Sequence, residues 1–89
     1  MRQIVQTSQF KQDLKKVKLS GRYKIDDLLI IVEQLARDES LAEKYKNHDL
    51  TGNWKNHKEC HIKADWLLIY QLIDDKLILI RTGSHSELF

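Results

Sequence analysis

Four histidines are the side chains of this chain best suited to move protons near neutral pH. The ordinary imidazole pKa of about 6.5 leaves both protonation states populated, so a histidine can act as a base or as an acid. Three of the four lie in segments that also carry carboxylates, hydroxyls and aromatic rings: His48, His61 and His85. These three are the first candidates for a catalytic site.

The same segments supply a carboxylate, an arginine and large aromatic rings: Asp65, Arg81, Trp66 and Phe89. The set fits metal-free cleavage of RNA, in which the 2′-hydroxyl attacks the adjacent phosphate. A base must remove the hydroxyl proton, an acid must protonate the leaving 5′-oxygen, and a cation must stabilise the charge on phosphorus. Arginine suits the last role because its planar donors match phosphate oxygens in pairs, and an aromatic ring can stack on an unstacked base. From residue types alone this chemistry is one of several open interpretations.

Other site chemistries have weaker support. No HExxH motif occurs, and no two histidines are paired on a predicted helix, which disfavours zinc. Ser84 and Ser86 flank His85, but no GxSxG motif indicates a serine hydrolase. Cys60 is the only cysteine, so no internal disulfide can form, and we expect it to pack in the sheet. The sequence predicts neither a metal nor a cofactor.

The bulk properties predict one cytoplasmic domain over residues 1–89. Hydrophobic residues make up 42% and charged residues 31%, a balance typical of folded proteins. No apolar run is long enough for a membrane helix, and the first residues lack a signal-peptide core. The net charge of +2 is compatible with nucleic acid but is weak evidence for it. Lysines cluster between residues 11 and 24, where a solvated helix face is the simplest interpretation.

The first half of the chain predicts a strand and a helical hairpin. Residues 3–7 favour a short strand, and Ser8 is the expected N-cap of the first helix. Apolar residues at helical spacing predict one buried stripe on each helix. On the first helix the stripe is Phe10, Leu14 and Val17. On the second helix, over about residues 24–37, it is Ile25, Leu28, Leu29, Val32 and Leu35. The hairpin needs an apolar surface to cover.

The second half predicts that surface. Residues 38–57 lack a period and suggest a loop, whereas residues 58–63 predict a strand with Glu59, His61 and Lys63 on one side. Residues 66–73 are apolar on both faces, as in a central strand, and residues 76–82 predict its partner. The sum is an α+β fold of order β-α-α-β-β-β. We expect an antiparallel sheet with the hairpin on one face and an open face for a ligand.

Three motifs resemble one known family. Residues 45–54 read YKNHDLTGNW, residues 58–70 read KECHIKADWLLIY, and residues 81–89 read RTGSHSELF. They are similar to the motifs DHxLxGxW, ECHIxPDWLLIY and RxGSHSxLF of YafQ toxins, in the RelE/ParE superfamily. Ala64 stands where that family usually has proline, and Asn47 where it usually has aspartate.

The resemblance implies a RelE/ParE-like fold and a metal-independent endoribonuclease that cleaves mRNA in the ribosomal A site. It assigns acid/base positions to His48, His61, Asp65 and His85, and the phosphate-stabilising position to Arg81. It further implies that three residues shape the site or contact RNA: Trp66, Phe89 and Lys63. We favour His85 as one member of the proton-transfer pair, with Asp65 or His48 as the other. His57 matches no family histidine and is interpreted as a surface residue.

The resemblance also implies partners. A DinJ-like antitoxin would block the toxin, in a complex expected to be a heterotetramer, and the ribosome and mRNA would be the targets. Operator DNA would be bound mainly through the antitoxin, because this chain shows no basic recognition helix of its own. No membrane partner is expected. Two alternatives stay open: a ParE-like toxin that is not a nuclease, which the histidine motifs disfavour, and an inactive module that only binds the antitoxin.

Overall fold

The computed structural model describes residues 1–89 and has the expected α+β order. The elements are β1 (Gln3–Gln6), α1 (Ser8–Ser20), α2 (Ile25–Ala36), β2 (His48–Asp49), β3 (Lys58–Lys63), β4 (Trp66–Ile73), β5 (Lys76–Gly83) and α3 (His85–Leu88). The segment expected to be loop contains the short strand β2 and two 3-10 turns, and the C-terminal segment contains the unexpected helix α3. None of the three α-helices has the length and apolar character needed to cross a membrane.

The five strands form one sheet in the order β1-β5-β4-β3-β2. Strands β2 to β5 pair antiparallel, as expected, but β1 pairs parallel with β5. The expectation of a wholly antiparallel sheet was therefore wrong for β1. No tight turn joins β1 to β5 in the chain, so nothing forces an antiparallel pairing between them.

The hairpin of α1 and α2 covers one face of the sheet, which we call the hairpin face. The core there joins residues of both helices to residues of three strands: Phe10, Val17, Leu28, Ile31, Val32, Leu35, Ala36, Cys60, Ile62, Trp66, Leu68, Tyr70, Leu77 and Leu79. The predicted stripe of α2 was wrong at Leu29, which is 54% exposed, whereas Ile31 is buried. Five consecutive apolar residues at positions 28–32 left the buried face undetermined, and packing selected 28, 31, 32 and 35.

The opposite face, which we call the site face, is partly covered. Leu67 and Ile69 of β4 are fully buried there, and Leu88 of α3 packs on them. Leu50, Trp54 and Ile80 complete this small cluster. The prediction that β4 is buried on both faces is confirmed for residues 66–70, whereas Ile73 at the end of the strand is 45% exposed. The site face is open only where α3 and the 50–54 segment leave it uncovered.

Thr7 joins the sheet to the helical hairpin. Its hydroxyl donates to the carbonyls of Leu79 at 2.9 Å and Ile80 at 3.2 Å on β5. The same oxygen accepts from the backbone N–H of Phe10 at 3.1 Å, which makes Thr7 the N-cap of α1. The expected cap, Ser8, is instead the first helical residue.

Replacing Thr7 with alanine should destabilise the fold, because it removes both the cap and the link to β5. We expect the free energy of unfolding to fall by about 1–2 kcal/mol. Urea denaturation of the purified chain measures the change. Ser8→Ala is the matched control and should shift stability by less than about 0.5 kcal/mol, since Ser8 is exposed. Equal losses from the two variants would contradict Thr7 as the cap.

Candidate active site

Strand pairing places the polar candidates on the site face. His48 of β2 lies opposite Glu59 of β3, Glu59 lies opposite Ile69 of β4, and Ile69 lies opposite Arg81 of β5. Residues directly opposite each other in a sheet share a face, and His61 follows Glu59 by two positions. One row across four strands therefore carries a histidine, a glutamate and an arginine, with a second histidine beside it.

A β-bulge is responsible for the position of Arg81. Tyr70 pairs with Leu79, but the next residue of β4, Ile69, pairs with Arg81, so Ile80 is an extra residue in β5. Without this bulge the alternation along β5 would turn Arg81 to the hairpin face. The bulge therefore puts the Cα atom of Arg81 in the same cross-strand row as those of Glu59 and His48.

The imidazole rings of the three candidate histidines form a line. The ring centroids of His48 and His61 are 6.5 Å apart, and those of His61 and His85 are 6.1 Å apart. Phe89 continues the line at 5.4 Å from His85, and Trp54 lies 6.0 Å from Phe89. Separate segments of the sequence thus converge on one surface of the molecule.

Glu59 lies between two of these histidines. Its Oε1 atom is 3.4 Å from Nε2 of His48 and 3.4 Å from Nε2 of His61. The residue is only 3% exposed, and its Oε2 atom has no hydrogen-bond partner. Glu59 was not among the site residues predicted from the sequence, because its burial depends on how β2 and β4 flank β3.

The short helix α3 fixes the backbone of His85. The hydroxyl of Ser84 accepts from the Glu87 N–H at 3.3 Å, and Oε1 of Glu87 accepts from the Ser84 N–H at 2.9 Å. These bonds form a capping box and hold the pKa of Glu87 below its ordinary value. Asp65 adds a bond from outside the helix, since its Oδ1 accepts from the His85 N–H at 3.0 Å. The Ser-x-x-Glu spacing was the sequence signal for this helix.

Gly83 allows the chain to turn from β5 into α3. Its φ of +154° lies in a region that side chains disfavour. A Cβ atom at this position would lie 3.2 Å from Oε1 of Glu87, tighter than ordinary contact. Glycine here therefore lets α3 fold back closely onto the end of the sheet.

Arg81 is paired with a residue that the sequence did not single out. Its Nε donates to Oδ2 of Asp13 at 2.6 Å, and its Nη2 donates to Oδ1 at 3.2 Å. The hydrogen bond to this carboxylate raises the pKa of Arg81 above its ordinary value. Asp13 is 4% exposed although it lies in a lysine-rich helix. The available signal was its position between Phe10 and Val17, at helical spacing on the buried stripe.

Trp66 does not lie on the site face. It is completely buried on the hairpin face, where its ring stacks on Tyr23 at 4.8 Å. Its indole N–H donates to the hydroxyl of Thr82 at 2.9 Å. The expectation that its ring is available to stack on a base was wrong, because β4 is central and both of its faces are covered.

Lys63 also turns away from the histidine row. His61 pairs with Leu67 and Lys63 pairs with Trp66, so β3 has an extra residue at Ile62. This bulge overturns the expected alternation and moves Lys63 to the side of Trp66. There its Nζ lies 3.5 Å from a carboxylate oxygen of Asp27 on α2.

Of the two aromatic candidates, Trp66 and Phe89, only Phe89 is accessible: it is 54% exposed at the end of the histidine line.

His57 lies outside that line and has its ring edge-on to Trp54, with the centroids 5.2 Å apart. Tyr70, in the core, donates from its hydroxyl to Oδ1 of Asn47 and so holds the residue before His48. Burial raises the pKa of Tyr70 above its ordinary value.

A family model described as a bacterial toxin of type II toxin–antitoxin system, YafQ, matches residues 2–89. The chain belongs to the YafQ family. The mRNA interferase toxin YafQ of Escherichia coli strain B/BL21-DE3 is 36% identical over 99% of this chain and 96% of its own length. That of strain K12 is 47% identical over 55% of this chain, an alignment that spans 53% of the relative. This chain is therefore a toxin of the mRNA interferase class. The mRNA interferases are endoribonucleases.

Solved structures of the family share the fold. A metal-bound toxin from Helicobacter pylori is 42% identical, with a TM-score of 0.90 over 100% of both chains. The toxin in the E. coli DinJ–YafQ complex is 33% identical, with a TM-score of 0.87 over 100% of this chain and 99% of that one. The family is thus one in which an antitoxin binds the toxin.

The metal in the Helicobacter pylori relative raises the question whether these residues fit one. No group of three or more His, Cys, Asp or Glu side chains is arranged here to hold a metal ion. The chemistry considered for this site uses the side chains of this chain alone.

The thiol of Cys60 should resist alkylation in the folded protein. It is completely buried, and burial raises the pKa of Cys60 to about 12, so almost no thiolate exists at pH 8. Mass spectrometry after iodoacetamide treatment should show labelling only in urea. A thiol introduced by Ser8→Cys, in a Cys60→Ala background, is the exposed control and should react at once. Equal rates at the two positions would mean that β3 is not packed as described.

Proposed function

We propose that this toxin cleaves mRNA in the ribosomal A site by metal-independent acid–base catalysis on the site face. The observation that carries the proposal is the line of three imidazoles in register with an arginine. Two imidazoles about 6 Å apart can reach opposite sides of one phosphate. One can take the 2′-hydroxyl proton while the other gives a proton to the 5′-oxygen. The upstream fragment would then end in a 2′,3′-cyclic phosphate, and the downstream fragment would leave with a 5′-hydroxyl.

His85 and His61 are the pair that the geometry favours. The sequence favoured Asp65 or His48 beside His85, but the His61 ring lies next to that of His85 in the line. Asp65 uses Oδ1 to hold the His85 backbone, which suits a positioning role. His48 lies further along and shares the Glu59 carboxylate with His61. Glu59 would keep both rings oriented as the proton moves.

Arg81 would stabilise the charge on phosphorus, because it lies in the same cross-strand row as Glu59 and His48. Phe89 would stack on an unstacked base beside the scissile phosphate, since its exposed ring lies next to His85.

The exposed lysines of α1 would contact ribosomal RNA or the antitoxin, because positive charges on a solvated face attract phosphate groups or acidic side chains.

We further propose that a DinJ-like antitoxin blocks this face in the cytoplasm. The E. coli relative is structurally characterised with DinJ, which supports an antitoxin of that kind. We expect a heterotetramer that contacts operator DNA mainly through the antitoxin.

The His85→Ala variant tests the central claim. It removes one proton-transfer group, so ribosome-dependent cutting should fall by about 10²- to 10⁴-fold. Toeprinting of a translated message detects the cuts, and His57→Ala is the matched control because His57 lies outside the histidine line. Antitoxin binding should persist in both variants.

Each outcome has a distinct meaning. If His85→Ala cleaves RNA as fast as the wild type does, the proposed chemistry is wrong. Growth arrest by the wild type without any RNA cutting would favour a ParE-like toxin that is not a nuclease. Antitoxin binding with neither cutting nor arrest would favour an inactive partner.

Glu59→Gln should lower kcat by about 10- to 100-fold, because an amide keeps the size of the side chain but no longer presents a carboxylate oxygen to the two imidazoles. Single-turnover cleavage on programmed ribosomes gives the rate. Glu33→Gln is the matched control, since Glu33 forms a surface ion pair with Arg37 away from the site. A wild-type rate for Glu59→Gln would remove Glu59 from the mechanism.

A further inference from the structure

Asp13 occupies the edge of the sheet that β1 leaves uncovered. Strand β1 pairs with β5 only as far as Leu79, and α1 then packs beside the rest of β5. Here the backbone N–H of Thr82 donates to Oδ2 of Asp13 at 3.2 Å. A helix carboxylate therefore takes the place of a neighbouring strand at this point.

The carboxylate of Asp13 is fully used. Besides Thr82, it accepts from Nε and Nη2 of Arg81 and from Nε2 of Gln9 at 3.1 Å. Both oxygens and four donors are involved, and the carboxylate is buried. Such a site holds a guanidinium in one plane, because two parallel bonds fix both its distance and its tilt.

The pairing leaves part of Arg81 free. The Nε and Nη2 edge faces Asp13, so Nη1 and the outer hydrogen of Nη2 remain available as a second pair of donors. The side chain is 26% exposed, so part of it is accessible from solvent. The second edge has the geometry for two bonds to a phosphate.

We propose that Asp13 is a positioning residue that orients Arg81 toward the reacting phosphate. The inference rests on the role proposed for Arg81. Without Asp13 the long side chain would sample many rotamers, and part of the binding energy would be spent on ordering it. Asp13 also neutralises part of the positive charge of Arg81. It therefore weakens the general attraction of Arg81 to RNA while it improves the alignment of the guanidinium with the reacting phosphate.

These two effects predict that kcat falls in the variant while KM does not rise. In Asp13→Asn the rate should fall about 10- to 100-fold, because the guanidinium is no longer held in place. KM should stay equal or decrease, because an unneutralised arginine attracts RNA more strongly. The affinity for an uncleavable 2′-O-methyl RNA oligonucleotide should also depend more steeply on salt, by up to about 0.7 in the logarithmic slope. A purely structural role for Asp13 would lower the rate only by reducing the folded fraction, and it would not make the RNA affinity more dependent on salt.

The experiment compares Asp13→Asn, Arg81→Gln and the double variant by single-turnover cleavage on programmed ribosomes. If Asp13 acts through Arg81, the double variant should be no slower than Arg81→Gln alone. Asp38→Asn is the matched control, because Asp38 pairs with Arg2 at 2.8 Å outside the site. Antitoxin binding and urea denaturation report whether each variant is folded.

A second variant keeps the test informative if Asp13→Asn does not fold. Arg81→Lys keeps the charge but cannot make two parallel bonds, so it should lose rate as Asp13→Asn does. Wild-type kcat in Arg81→Lys, or additive losses in the double variant, would overturn the role of Asp13. Wild-type kcat in Arg81→Gln would instead overturn the proposed role of Arg81, and it leaves the histidine chemistry to be judged by His85→Ala.

Discussion

Burial of β4 on both faces is the constraint on which the rest of this structure depends. The hairpin of α1 and α2 supplies a large cover on one face, whereas the other face has only a small apolar cluster centred on Leu67 and Ile69. Leu88 of the short helix α3 covers that cluster. Burial of its side chain stabilises the fold by about 1.5–3 kcal/mol. Covering β4 therefore also places His85 and Phe89, because both lie on the same short helical turn. The capping box and the Asp65 bond reinforce a helix too short to be stable alone.

The two most informative buried carboxylates differ in how well they are satisfied. Asp13 has four donors, and it joins α1 to the edge of β5. Glu59 has two imidazoles near one oxygen and no partner at the other. A buried charge is costly unless it is paired, and the bonds to Asp13 hold this carboxylate, and with it Arg81, in a fixed position. A partly bonded carboxylate is expected where function requires it, and Glu59 lies at the centre of the histidine line.

The fold of this family tolerates considerable sequence change. This chain matches YafQ of E. coli strain BL21(DE3) with a TM-score of 0.89 and the toxin of the E. coli DinJ–YafQ complex with 0.87, at 32% and 33% identity. Most positions therefore differ in sequence while the arrangement of the backbone is retained.

The sequence by itself determined the hairpin, the strands β3 to β5 and the motifs that carry the histidines, because hydrophobic periodicity and local motif spacing act over a few residues. It did not determine the register. Single extra residues at Ile62 and Ile80 turn Lys63 away from the site face and bring Arg81 onto it. Such bulges depend on how neighbouring strands pair, and alternation along one strand cannot reveal them. Only the tertiary structure decided three further features. Trp66 is buried because of what covers β4. The pairing of Asp13 with Arg81 and the place of Glu59 between two histidines each join segments that are distant in the chain.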